Sequence, residues 1–137
     1  MPITEQMRDF ARRYAAAWCS QNAASVAAFH APDSSLSVNA GPAARGRAAI
    51  AAEAQAFMTA FPDMHVRFDR LAEAGGHLQF HWTLSGTYAG PGGTGKRVRI
   101  SGFEEWRLSP DGLIAESHGH FDAAEYQRQL QHGAAPS

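Results

Sequence analysis

The sequence predicts an α+β domain, with helices first and a mainly antiparallel sheet after them. Three observations carry this. Apolar residues recur at helical spacing from Met7 to Phe61. From Met64 to Phe121 the period drops to two. Turn signals rich in Gly, Pro and Asp separate the alternating stretches.

In the first helix Met7, Phe10, Ala11, Tyr14 and Trp18 form one apolar stripe, and Thr4 is placed to cap it. Gln21-Asn22 interrupts the pattern, and Asn22 suits the N-cap of a short second helix bearing Val26 and Phe29, which Pro32-Asp33 should end. Leu36 to Asn39 reads as a short strand, and Gly41-Pro42 opens a loop to Gly46. A third helix carries Ile50, Ala54, Phe57, Met58 and Phe61, and stops at Pro62-Asp63. Met64, Val66 and Phe68 then alternate with His65, Arg67 and Asp69 in a strand that Gly75-Gly76 turns. Leu78, Phe80, Trp82 and Leu84 give a long strand through to Tyr88. A glycine-rich loop spans Ala89 to Lys96, and Val98 and Ile100 open the next strand, with a bulge expected at Ser101-Gly102. Ser109-Pro110-Asp111-Gly112 fits a type I turn, Pro at its second position and Gly at its fourth. The last strand runs from Leu113 to Phe121, a helix from Ala123 to Gln131, and a loose tail covers about 132–137.

The 137 residues make one domain, 1–137, without repeat or linker. A hydrophobic fraction of 45% and a charged fraction of 18% exclude intrinsic disorder. A formal charge of -1 gives no pull towards nucleic acid or an acidic membrane surface. The single cysteine, Cys19, allows no internal disulfide. Met1-Pro2-Ile3-Thr4-Glu5 lacks the basic and apolar segments of a signal peptide, and no run nears the ~18 apolar residues of a membrane span, so a soluble, cytoplasmic protein is expected.

The most polar feature is Glu116-Ser117-His118-Gly119-His120-Phe121-Asp122. By period two, Glu116, His118, His120 and Asp122 share one strand face. Four proton-active side chains are costly in a dry core, so that face is expected to line a pocket. Glu104, on the neighbouring strand, shares a face with Trp106 and Leu108 and could pair with a histidine of the last strand. His118-x-His120 with Glu116 or Asp122 also has permissive metal-ligand spacing, without a third histidine nearby. Gly90 to Lys96 matches most of a phosphate-binding loop, but Arg97 replaces the Ser or Thr and a strand follows where a helix must start, so it reads as a connection.

Ala17-Trp18, Ala31-Pro32-Asp33, Gly46-Arg47 and Phe61-Pro62-Asp63, then Trp82 to Gly90, Thr94 to Val98, Asp111 to Glu116, and Asp122 with Gln129-Leu130, occur in an order that resembles the SnoaL-like polyketide cyclases, or ester cyclases, of the NTF2-like superfamily. The resemblance implies a cone-shaped barrel with helices on the concave face of a highly curved sheet. It also implies an enclosed apolar pocket, a homodimer through the convex face, no cofactor and no metal. It further implies an aldol-type cyclisation in which an aspartate on the last strand is the acid/base, the position Asp122 matches. The chain departs from the family at His118 and His120, where large aromatics are usual.

The expected catalytic residues are therefore Asp122, His118, His120 and Glu104. A carboxylate beside an apolar cavity gains a raised pKa and suits proton removal next to a carbonyl. Asp122 equally suits the N-cap of the helix that starts at Ala123. Trp18, Phe29, Phe57, Phe61, Trp82 and Trp106, with the polar Tyr14 and Asn39, are expected around a flat apolar or aromatic ligand. Cyclisation or isomerisation of a carbonyl compound is the leading reaction class. Binding of a lipid-like or aromatic ligand without turnover, and epoxide hydrolysis, are the alternatives. Phe103 and Phe121 are expected on the dimer face.

Overall fold

The computed structural model describes residues 3–134. Helix α1 spans Glu5–Cys19, and the Thr4 side chain accepts from the Met7 N–H as its cap. Helix α2, Ala23–Ala27, is capped by Asn22 in the same way. Strand β1, His30–Val38, and the two-residue β2, Ala44–Arg45, precede helix α3, Arg47–Ala60. Strands β3, His65–Ala74, β4, His77–Thr87, β5, Arg97–Leu108, and β6, Ile114–Phe121, follow in hairpin succession. Helix α4 covers Ala123–His132, with Gly133 and Ala134 after it. The rest of the expected tail, 135–137, lies outside the described residues, as do Met1 and Pro2.

The six strands form one sheet in the order β2-β1-β6-β5-β4-β3, its two ends unjoined. Strands β3 to β6 are an antiparallel meander, as the alternation predicts. Strand β1 lies parallel to β6, which makes the sheet mixed. It begins earlier than the expected Leu36 and contains Pro32-Asp33, which therefore does not end a helix. A register shift between His30 and Ser35 accommodates the proline, which has no N–H for the ladder. The short β2 was not anticipated from sequence, since a two-residue strand carries no period.

The core lies between the helices and the inward face of the sheet. Tyr14 and Trp18 of α1, Ala54 and Met58 of α3, and Phe80 and Trp106 of the sheet belong to one buried cluster. Tyr14 packs edge-on against both Phe80 and Trp106, at 5.3 Å between ring centroids. Among the described residues no helix is long and apolar enough to cross a membrane.

One register detail sets the site. The expected bulge at Ser101-Gly102 is absent, because β5 pairs with β4 and β6 through Gly102 without a shift. Val98, Ile100, Glu104 and Trp106 thus keep one inward parity. The irregularity sits on β6 instead. Arg107 pairs with Glu116 and Leu108 with Ile114, leaving Ala115 as an extra residue. That residue flips the parity beyond it. Ile114, Ser117 and Gly119 all face inward and are buried, whereas His118 is exposed.

Candidate functional site

Glu104 is a carboxylate placed by β5 parity between inward apolar residues, and only 8% of it is exposed. Three donors from three elements meet its Oε1: Ser117 Oγ of β6 at 2.7 Å, Trp106 Nε1 of β5 at 3.0 Å and the Tyr14 hydroxyl of α1 at 3.0 Å. Oε2 has a single longer contact, to the Tyr14 hydroxyl at 3.3 Å. Hydrogen bonds to an ion are worth about 1.5–3 kcal/mol each, against several kcal/mol for removing it from water. Burial prevails, and the Glu104 pKa is raised despite the bonds from Trp106, Ser117 and Tyr14. Oε1 thus carries three of the four contacts, and Oε2 is the less committed oxygen.

The network extends behind Tyr14. Its hydroxyl lies 3.2 Å from His30 Nε2, and His30 Nδ1 lies 3.2 Å from Ser34 Oγ. Tyr14, His30 and Ser34 are fully buried. Burial, and then the positive charge of Arg47, lower the His30 pKa to about 4, so the ring is neutral at pH 7. Arg47 also donates to the His30 carbonyl oxygen at 2.9 Å. Burial, and then the charge of Glu104, raise the Tyr14 pKa well above 10.0, which keeps it a phenol. Since Tyr14 gives its proton to Glu104, its oxygen accepts from His30 Nε2–H, and Nδ1 accepts from Ser34. The chain of donors thus runs Ser34, His30, Tyr14, Glu104.

Glu104 opens on a cavity of about 70 Å³, enough for several waters or a small molecule. Trp18, Phe57, Phe80, Trp82, Phe121 and Tyr126 give the wall its aromatic character, and Val66, Leu84 and Ile100 fill between them. Gly119 leaves the wall beside Glu104 without a side chain, and Gly102 lets Trp82 pack closely on β5. A Cβ on Gly119 would stand 4.0 Å from Glu104 Cγ. A Cβ on Gly102 would strike the His120 carbonyl oxygen and lie 2.7 Å from the Trp82 ring. Trp18 Nε1 is buried and completes no hydrogen bond, although it is near enough to the Tyr14 hydroxyl to favour that group's ionised form.

A family model for the SnoaL-like domain matches residues 11–117. The chain belongs to the SnoaL-like domain family. No curated protein matches it. Among solved structures, this SnoaL-like domain is similar to a protein of Catenulispora acidiphila with a ketosteroid isomerase-like fold, solved in complex with trimethylamine: 18% identity over 89% of this chain and 92% of that one, TM-score 0.77. It is equally similar to a proposed polyketide cyclase of Xanthomonas campestris, 20% identical over 90% and 96% of the two chains, TM-score 0.77. A proposed hydroxylase of Streptomyces galilaeus aligns at 20% identity over 90% and 93%, TM-score 0.73. At these identities the likeness establishes the NTF2-like fold, as the sequence resemblance implied.

The expected polar row does not line the cavity of this SnoaL-like domain. Beyond Ala115 the parity flip turns Glu116, His118 and His120 to the outward face. His118 Nδ1 meets Ser37 Oγ at 2.8 Å and its Nε2 stands 3.4 Å from Glu116. His120 Nε2 stands 3.2 Å from Glu105, and its ring packs on Phe103. Asp122 is exposed and caps α4, accepting from the Glu125 N–H at 3.0 Å. Glu104 therefore pairs with no histidine of β6. Among the described residues no group of three or more His, Cys, Asp or Glu is placed to hold a metal ion.

Of the expected ligand-facing residues, Trp18, Phe57 and Trp82 reach the cavity. Tyr14 and Trp106 stand behind it as donors to Glu104. Phe29 packs on Phe10 and Tyr14, and Phe61 is a buried core residue beside Tyr88. Asn39, at a left-handed φ of 54°, accepts from the Phe121 N–H and so ties the end of β1 to β6 instead. Phe121, expected on the dimer face, lines the cavity by the same parity flip. His30 and Ser34 were missed because they precede the strand that the sequence marks. Gly119 and Ser117 were missed because the inward parity of β6 was assigned to their neighbours.

Proposed function

We propose that this protein is a small cofactor-independent enzyme that moves a proton on a carbonyl-containing small molecule, in an aldol-type cyclisation or an isomerisation, with Glu104 as its base. One observation carries the reading: a buried carboxylate, held mainly through one oxygen, lines an apolar cavity. Its raised pKa suits removal of a proton next to a carbonyl, and apolar walls keep water away from the resulting enolate. Oε2 takes the α-proton, and the C–H electron pair passes into the enolate. The enolate carbon then attacks a second carbonyl, whose oxygen takes the proton back from Oε2 as a hydroxyl, or Oε2 returns the proton to another carbon; either way the carboxylate is regenerated. That a neighbour of this fold was solved with trimethylamine, and that others are proposed enzymes, supports a small-molecule occupant.

The test is α-proton exchange of small ketones, cyclohexanone first, followed by NMR in D2O. The protein should accelerate exchange, and Glu104→Gln should remove about 10²-fold or more of that rate. Equal rates in the two proteins reject the role of Glu104. The apolar wall also suits ligand storage without turnover; an unchanged ligand released from purified protein and seen by mass spectrometry would favour that reading. A homodimer through the outward sheet face, where Phe103 lies between His81 and His120, belongs to the same proposal. Light scattering at high micromolar concentration decides it.

A further inference from the structure

We infer that the cavity takes a small apolar cation, an alkylammonium group seated at Glu104 Oε2 within the aromatic wall. The inference rests on Glu104 facing the cavity as a carboxylate, and not on turnover. Among the described residues, no Lys, Arg or His stands within ion-pair distance of Glu104, although seven such pairs involving other carboxylates occur elsewhere and one more joins His118 to Glu116. Its stabilisers are neutral donors, three on Oε1 and only the longer Tyr14 contact on Oε2. A buried anion without a counter-charge is costly, and a ligand cation at the open oxygen removes that cost.

The wall gives the same sign. Among the described residues no Lys, Arg or His lines the cavity, and the only other carboxylate on it is that of Glu53, an exposed residue of α3. A ligand carrying a carboxylate or phosphate would therefore meet like charge with nothing to oppose it. Aromatic faces present negative quadrupole to whatever they surround, and this attracts ammonium groups, most of all from indoles. Trp18 and Trp82 both line the cavity with Phe57, Phe80, Phe121 and Tyr126. A carboxylate and a ring of aromatics are the two features that select an alkylammonium over an isosteric neutral group.

Three compounds of nearly the same shape separate charge from size: choline, 3,3-dimethylbutan-1-ol and 3,3-dimethylbutanoate. Binding is followed by calorimetry and by the fluorescence of the cavity tryptophans. Choline should bind roughly 10- to 30-fold tighter than the alcohol, and the butanoate should bind worst. In Glu104→Gln the preference for choline should collapse while alcohol binding persists. Equal or tighter binding of the alcohol by the wild-type protein overturns the inference, as does the absence of binding by all three. A preference that survives Glu104→Gln moves the cation away from Glu104 and overturns it too. The wild-type series decides even where the variant folds poorly. A charge preference without ketone exchange would sink the base reading alone, and exchange without charge preference would sink this one alone.

Discussion

The outward and inward faces of β6 carry opposite chemistry on one eight-residue strand. Outward stand Glu116, His118 and His120, rich in ionisable groups, each side chain 37–49% open to water and paired with a neighbour. Inward stand Ser117, Gly119 and Phe121: a hydroxyl that supports Glu104, a gap beside it and a ring on the cavity wall. The number of ionisable side chains marks the wrong face. An ion in water costs little, whereas an ion in an apolar wall needs built partners. Glu104 has three such partners, drawn from α1, β5 and β6. The contrast teaches that a lone charge at a core-parity position outweighs a row of charges at an exposed one.

The largest effect that tests this contrast concerns the inward network. His30 faces Tyr14, Ser34 and Arg47 and is neutral in the fold, with a pKa of about 4, against ~6.5 in the unfolded chain. Between those values the unfolded state binds the extra proton, so stability rises with pH. The His30 contribution is full above about pH 6.5 and is lost as pH falls towards 4, by about 3 kcal/mol. Glu104 acts in the opposite sense, since a raised carboxylate pKa favours the fold at low pH and withdraws that support as pH rises. The difference between wild type and His30→Gln isolates the histidine. Urea unfolding from pH 4 to 7 should show a flatter pH slope in the variant. An unchanged slope would mean that His30 is not held neutral inside.

Most of the fold was legible because its signals are local. Thr4 and Asn22 announce two helix starts, Pro62-Asp63 a helix end, and Gly75-Gly76 a hairpin. The alternation of β4 and β5 named their inward residues correctly, Glu104 and Trp106 included. The site was legible only in part, because one inserted residue decides which face of β6 points inward. Ala115 has no turn chemistry to betray it, and the pairing of Leu108 with Ile114 is a tertiary fact. Glu104 was nonetheless visible: in Val98-x-Ile100-x-Gly102-x-Glu104-x-Trp106 it is the one charge on an apolar parity. His30 was not, since Pro32-Asp33 hides the start of β1 from any periodic reading.

A smaller effect is expected where the strand leaves the sheet. Asp122 holds the first turn of α4 by accepting from the Glu125 N–H, and it touches nothing in the cavity. Asp122→Ala should lower stability by about 1 kcal/mol, the usual worth of an N-cap, and leave ketone exchange and choline binding as they were. Thermal unfolding and the exchange assay together check it. Loss of activity at full stability would return the chemistry to the end of β6, where the family resemblance places it.

The smallest effect belongs to the outward histidines. His118 and His120 lie on the same strand as two cavity residues, so a role through the strand itself is the strongest objection to dividing the faces. Their partners argue against it. Glu105 meets His120 on the outward side. Beyond its own strand His118 reaches only Ser37, a buried residue of the cavity wall with no hydrogen bond to Glu104, and water replaces an exposed imidazole at little cost. The backbone that carries Gly119 and Phe121 is held by β5, whose register runs unbroken from Gly102 to Arg107. The double substitution His118→Ala with His120→Ala should therefore change stability by no more than about 0.5 kcal/mol and leave the exchange rate within about twofold. A loss approaching that of Glu104→Gln would show that the two faces act as one site, coupled through the strand or through the His118–Ser37 bond.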